Sequence, residues 1–210
     1  MDKAKTEIVF ILDKSSSMSE LRNEIVDGFN AFLEKQKKEI PYAVITTVFF
    51  SDSIDTIHKR EKIIDAKPVR LEQYNPAGAT ALLDAIGDTI EKIKNAQDFG
   101  SPEQTIAIII TDGIENSSSK YTYKQVKALV DKMQNCRWKF IFLAANYEAL
   151  MEAARIGIPM DNAVEYASDI YGTRINFRTL MSLVHFFIRT GSIKKDWADK
   201  KDCEDDMFYW

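Results

Sequence analysis

Ile8-Val9-Phe10-Ile11-Leu12-Asp13-Lys14-Ser15-Ser16-Ser17 passes from five consecutive apolar residues into a carboxylate and a run of hydroxyls. Five apolar residues without polar alternation read as a strand buried on both faces, the pattern of a parallel sheet covered by helices. In open α/β sheets, ligands bind just outside the carboxyl ends of such strands. Asp13 and the serines after it therefore stand where a ligand is expected.

Working outward, Met18, Leu21, Ile25, Phe29 and Phe32 form one helical stripe. Tyr42 to Phe50 is β-branched and aromatic, a second strand. Ser51-Asp52-Ser53 turns it into Ile54–His58, whose short connection predicts an antiparallel edge strand. The stretch 61–79 holds Pro68, Pro76 and Gly78 and reads as irregular. A helix resumes at Ala81 with Leu82, Leu83, Ile86, Ile90 and Ile93 inward. Thr105–Thr111 (TIAIIIT) is the clearest central strand. Thr122-x-x-Gln125 is a capping box opening a helix along Val126, Leu129, Val130 and Met133. Trp138–Ala145 is a strand, Glu148–Arg155 a helix ended by Gly157, Asn162–Tyr166 a last short strand. Thr173–Thr190 is a long amphipathic helix closed by Gly191. Such alternation predicts an α/β, doubly wound, mostly parallel sheet with one antiparallel edge strand and helices on both faces. Residues 1–191 form the expected domain. Residues 192–210 are an acidic tail ending Met207-Phe208-Tyr209-Trp210, read as solvated rather than as an interaction peptide.

The composition fits one core: 210 residues, 45% hydrophobic and 29% charged, with 12 Phe, 8 Tyr and 3 Trp. A chain of that length buries roughly 70% of its unfolded surface and needs no disulfide to fold. The net charge of −4 and scattered Lys and Arg argue against a general nucleic-acid binder. Cys136 and Cys203 lie far apart and read as a reduced pair. The first residues show no signal-peptide pattern, and no apolar run nears the ~20 residues of a membrane span. The expectation is a cytoplasmic protein, off the membrane, monomeric by default.

Three segments after strands share one chemistry: Asp13-Lys14-Ser15-Ser16-Ser17, the loop Asn75-Pro76-Ala77-Gly78-Ala79-Thr80, and Asp112-Gly113. Their functional side chains are carboxylates and hydroxyls, the ligand class of hard divalent cations. Mg²⁺ takes six oxygens at about 2.0–2.1 Å and typically one or two carboxylates. Alternation in Asp13-x-Ser15-x-Ser17 turns three oxygens toward one point. The absence of His and Cys disfavours softer metals such as Zn²⁺. Each residue also has an ordinary local role. Ser17-x-x-Glu20 is itself a capping box, Thr80 fits a helix cap, Asp112-Gly113 a turn, and Asp13 an Asx turn. Those roles do not explain why the oxygens fall at neighbouring strand ends.

Over about Glu7 to Gly191 the sequence resembles the von Willebrand factor type A domain family. Its metal-ion-dependent adhesion site combines Asp-x-Ser-x-Ser, a separate Thr, and an Asp in a Thr-Asp-Gly turn. These match Asp13/Ser15/Ser17, Thr80 and Asp112, within GATALLDAIG and TDGIENSS. The resemblance implies Mg²⁺, with Mn²⁺ or Ca²⁺ as substitutes. Ser15 and Ser17 would ligate directly, Asp13 and Asp112 largely through waters, and Thr80 directly or through water. One position would remain for a Glu or Asp carboxylate of a protein partner. Ala77 and Ala79 stand where relatives often carry more glycine, which implies a stiffer loop.

Three other chemistries are weaker. A haloacid-dehalogenase-type Mg²⁺ phosphatase needs a carboxylate where Ser15 stands. No GxxxxGK occurs for nucleotide hydrolysis. A nucleophilic serine wants a nearby His, and His58 and His185 read as structural. A scaffold with a purely structural ion would favour fuller protein coordination. The long last helix is read as covering the sheet, and Asn116-Ser117-Ser118 carries no weight as a glycosylation pattern.

Overall fold

Strand β1 (Thr6–Asp13) is buried at every position in the computed structural model, which describes residues 6–97, 104–166, 170–194 and 197. Its alternate residues enter two different cores, as the two-residue period of a strand dictates. Ile8, Phe10 and Leu12 pack on one face against α1 (Arg22–Glu39) and α5 (Ile170–Thr190). Val9 and Ile11 pack on the other against α2 (Leu82–Gln97), α3 (Tyr123–Gln134) and α4 (Tyr147–Arg155). A continuous apolar run is the sequence mark of that two-sided burial.

The remaining strands are β2 (Val44–Phe50), β3 (Ile54–Lys62), β4 (Gln104–Thr111), β5 (Trp138–Ala144) and β6 (Ala163–Glu165). They lie in the order β3-β2-β1-β4-β5-β6. All pairings are parallel except β2 with β3. The doubly wound sheet with one antiparallel edge strand is therefore present. Chain order reverses between β1 and β4, the switch point at which such sheets open a crevice.

Most elements fall where the sequence places them. The Thr122/Gln125 capping box forms, and Gly157 and Gly191 follow α4 and α5 with φ of +81° and +68°. Strand β3 is longer than Ile54–His58 and continues through a bulge to Lys62, with Arg60 at φ +48°. Polarity after His58 conceals this extension, because an edge strand exposes one face and shows no apolar run. The segment 16–21 is a 3-10 turn before α1, so the stripe from Met18 starts ahead of the α-helix.

Trp197, within the stretch expected to be a tail, is 8% exposed, and its indole donates to the Asp161 carbonyl at 2.9 Å. Residues 195–196 and 198–210, with Cys203 and the Met207–Trp210 ending, lie outside the described residues. Cys136 is an exposed free thiol. Among the described residues no helix is long and apolar enough to cross a membrane.

Candidate metal centre

The carboxyl ends of β1 and β4 adjoin at the switch point, Leu12 pairing with Ile110. Asp13 and the Asp112 turn are thereby brought side by side. Asp13 has no exposed surface. Its Oδ1 accepts the Ser15 amide at 2.7 Å and its Oδ2 the Thr111 hydroxyl at 2.6 Å. The Asx-turn role is thus real, but it occupies only one carboxylate oxygen. The Ser15 and Ser17 hydroxyls lie 3.1 Å apart, and Ser17 donates to Asp112 Oδ1 at 2.7 Å.

Thr80 arrives on the long connection between β3 and α2, which side chains fasten along its length. His58 Nε2 pairs with the Lys67 carbonyl at 2.8 Å, while Asn30 donates to and accepts from Val69. Arg22 donates to the Leu71 and Tyr74 carbonyls. The buried Tyr74 hydroxyl donates to the Asp13 carbonyl, tying the loop to the site itself. Gly78, at φ +84°, accepts the Ser16 amide at 3.1 Å and lies against Asp52. A Cβ added to Gly113 would sit 2.9 Å from Thr80 Oγ1 and 3.7 Å from Asp13 Oδ2. The threonine hydroxyl and the buried carboxylate therefore face the same turn.

All five oxygen-bearing side chains, Asp13, Ser15, Ser17, Thr80 and Asp112, are in one place. Two ordinary local roles fail. The first amides of α2 are capped by Glu115 (to Leu83 N, 2.9 Å) and Ser118 (to Asp84 N, 3.0 Å), not by Thr80. Ser17 lies inside the 3-10 turn, and its hydroxyl serves Asp112 rather than a cap. The Asp112-Gly113 turn is closed by Thr111, whose hydroxyl accepts the Gly113 amide at 3.1 Å. The Asp112 carboxylate is left facing Ser17. Ser17 is exposed, so the cluster opens to solvent on that side.

Electrostatics sharpen the picture. Burial raises the Asp13 carboxyl to about 6, partly offset by the Thr111 and Ser15 bonds and reinforced by Asp112's charge. Burial also raises Asp112, eased by Ser17. Among the described residues no cationic side chain forms an ion pair with either carboxylate. Lys14, adjacent in sequence, pairs with Asp55 at 2.9 Å instead. The described residues hold no group of three or more His, Cys, Asp or Glu side chains able to bind an ion. The donors here are two carboxylates and three hydroxyls, an all-oxygen set that suits a hard cation rather than a soft one.

Supporting groups were invisible one residue at a time. Thr111 belongs to the Thr-Asp-Gly turn, yet its hydroxyl bond to Asp13 of the neighbouring strand is a tertiary contact. Glu115 and Asn116 lay in the quoted TDGIENSS segment, yet their contacts with α2 and with the Thr80 amide (2.8 Å) are tertiary. Asn146 caps α4 and donates to the Asp112 carbonyl at 2.7 Å. His58 and His185 are structural, the first bonded to Thr47 and Lys67, the second 3.4 Å from Glu39.

No family model and no curated protein matches the sequence. Solved structures do match in fold. The PilB minor pilin from Streptococcus sanguinis is 13% identical with a TM-score of 0.69, over 88% of this chain and 62% of that one. The pilus adhesin SpaC from Lactobacillus rhamnosus GG is 13% identical, TM-score 0.69, over 88% of this chain and 30% of that one. The vWF domain of the type V pili tip protein Mfa5 from Porphyromonas gingivalis is 8% identical, TM-score 0.68, over 92% and 99%. The chain thus spans less than two thirds of PilB and under a third of SpaC, but nearly all of the Mfa5 domain. Identities this low show the fold alone, and that fold is von Willebrand factor type A-like.

Proposed function

We propose that this chain is a protein-binding module whose affinity depends on a divalent cation, Mg²⁺ or Mn²⁺, held by Asp13, Ser15, Ser17, Thr80 and Asp112. One observation carries this reading. Two carboxylates, one fully buried, face three hydroxyls at the sheet's switch point, with no side-chain cation paired to them among the described residues. Buried charges are ordinarily paired or bound to metal. Two aspartates formally neutralise a divalent ion without filling its six-oxygen shell, so a position stays open for one more oxygen. Bound there, the ion would supply a Lewis-acidic position for a Glu or Asp carboxylate of a partner protein. Ser17 and Asp112 stand on the solvent side, where that partner would approach. The adhesin named among the fold neighbours supports a binding role over a catalytic one.

Ser15 stands where a phosphatase of the haloacid-dehalogenase type needs its second carboxylate, and its hydroxyl is engaged with Ser17. We therefore assign no catalytic residue.

Calorimetric titration of Mg²⁺ and Mn²⁺ into wild type, Asp13→Ala and Asp112→Ala tests the site. The expected result is one ion per chain in wild type and at least tenfold weaker binding in both variants. Equal binding in all three overturns the proposal. For the partner, interactors captured in Mg²⁺ should be lost in EDTA; an unchanged set removes the metal bridge. Aryl phosphate hydrolysis abolished by Asp13→Asn would favour the phosphatase instead.

A further inference from the structure

Between α2 and the edge strand β3, on the face that α2 covers, lies an open cavity of about 430 Å³. Small-molecule sites run from about 300 to 1,000 Å³. Its apolar lining comes from Val48 of β2 and Ile93 of α2, both buried, and the half-buried Ala96, and its polar lining includes Lys59, Arg60 and Lys92. No carboxylate lines it, although the chain as a whole carries a net charge of −4. The cavity borders the later half of α2, from Thr89 to Ala96, whereas the metal centre adjoins Leu82. At 1.5 Å per residue the two are roughly 10–20 Å apart along the helix.

The three cations are not equivalent. Arg60 Nε bonds both oxygens of the buried Glu7 at 3.2 Å, and its Nη1 donates to the Ala96 carbonyl at 3.0 Å. Its charge is therefore matched from below. Lys59 and Lys92 are exposed, and neither forms an ion pair among the described residues. The local chain geometry is unusual in the same place. Consecutive strand residues face opposite sides of a sheet, yet Lys59 and Arg60 line one cavity. The β3 bulge accounts for this, since the register slips there and Arg60 takes φ +48° while its amide donates to Thr46. Bulges re-aim side chains beside functional sites, and left-handed backbone at a non-glycine residue persists only where its surroundings impose it.

We propose that this cavity binds a small organic anion, its flat apolar body over Val48 and Ile93 and its carboxylate, sulfonate or phosphate held by Lys59 and Lys92. Thr56 and Thr89 on the cavity wall add hydroxyls, while the third lining threonine, Thr46, is engaged with Glu7 and the Arg60 amide. The site is independent of the metal centre.

The probe is 1-anilinonaphthalene-8-sulfonate, titrated by fluorescence into the full chain in EDTA, so that no divalent ion contributes. Its uncharged counterpart, N-phenyl-1-naphthylamine, carries the same rings without the sulfonate. Wild type should bind the sulfonate saturably at one site, and the neutral amine at least tenfold more weakly. Lys59→Glu with Lys92→Glu, both exposed, should weaken the sulfonate at least tenfold at an unchanged melting temperature. Thr56→Trp fills the cavity without altering charge and should weaken both probes. Amide shifts on sulfonate addition should concentrate in 56–60 and 89–96. Equal affinity for the two probes, undiminished binding to the double variant, or shifts centred elsewhere would each overturn the proposal.

Discussion

Asp13 divides its carboxylate between two neighbours, the Ser15 amide on Oδ1 and the Thr111 hydroxyl on Oδ2. Asparagine satisfies the same geometry, because its Oδ1 still accepts from Ser15 and its Nδ2 donates to Thr111 Oγ1. What asparagine removes is the buried charge, which burial penalises in the ion-free protein. Asp13→Asn should therefore melt at or above the wild-type temperature in EDTA, while losing the stabilisation that Mg²⁺ confers on wild type. An ion at a hundred times its Kd adds about 2.7 kcal/mol by mass action. For a chain of about 200 residues each kcal/mol moves Tm by about 2–4 °C, so the wild-type rise should be about 5–10 °C. A Mg²⁺-induced rise in Asp13→Asn equal to that of wild type would sink the metal role. Asp13, Ser15, Ser17 and Asp112 were legible as candidate ligands because they follow strand ends, which converge in this fold class, and Thr80 because its loop feeds a helix N-terminus. The bonds of Thr111 and Tyr74 to Asp13 were not, because nothing local shows which threonine or loop tyrosine will meet it.

At the scale of elements, the contact between α1 and α5 turns on Gly28. A Cβ there would lie 2.2 Å from Phe177 Cδ2 and 2.7 Å from its Cγ. Phe177 is fully buried with Phe29 and Phe32 in the core below α5. Its ring occupies the space that a side chain on α1 would need. Alanine at position 28 gains up to about 1 kcal/mol of helix propensity. Overpacking a well-packed contact costs about 1–3 kcal/mol. The clash involves the root of the ring rather than a flexible tip, so the cost should win. Gly28→Ala should lower stability by about 1–2 kcal/mol in urea unfolding, and the compensating Phe177→Leu should recover part of it. A more stable Gly28→Ala would mean that the helices do not meet there. Helices and strands were readable because amphipathic stripes and apolar runs are local patterns. The fastening of the loop 63–81 was not, since it depends on His58, Asn30 and Arg22 meeting carbonyls far along the chain. The extension of β3 to Lys62 was hidden because a polar edge strand shows no apolar run.

Across the whole molecule, β1 carries a buried carboxylate near each end, and the two are compensated differently. Asp13 meets hydroxyls and an amide. Glu7, equally inaccessible, meets Arg60, Thr46 and Gln97 at the opposite end of the sheet. Arg60 reaches it from β3 and also bonds the Ala96 carbonyl at the end of α2, where a cation complements the helix dipole. Gln97 bonds Thr105 and Trp138 as well, so the network joins five strands and a helix. Even so, burial outweighs the pull of Gln97 and Arg60, and the Glu7 pKa is raised above its ordinary 4.5. The sign follows from linkage. A folded-state pKa above the unfolded one makes stability fall as pH rises past about 4.5, because the folded chain holds its proton longer. Other carboxylates also titrate there, so the readout is a difference. Glu7→Gln keeps the side-chain size and has no proton to lose. Chemical denaturation from pH 4 to pH 7 should show wild type losing stability relative to Glu7→Gln. If wild type instead gains on the variant, the Arg60 pair outweighs burial and the network stabilises through its charges. Either way β1 needs a counter-charge at both ends; the fold builds one into β3, and the other is the cation proposed for Asp13 and Asp112.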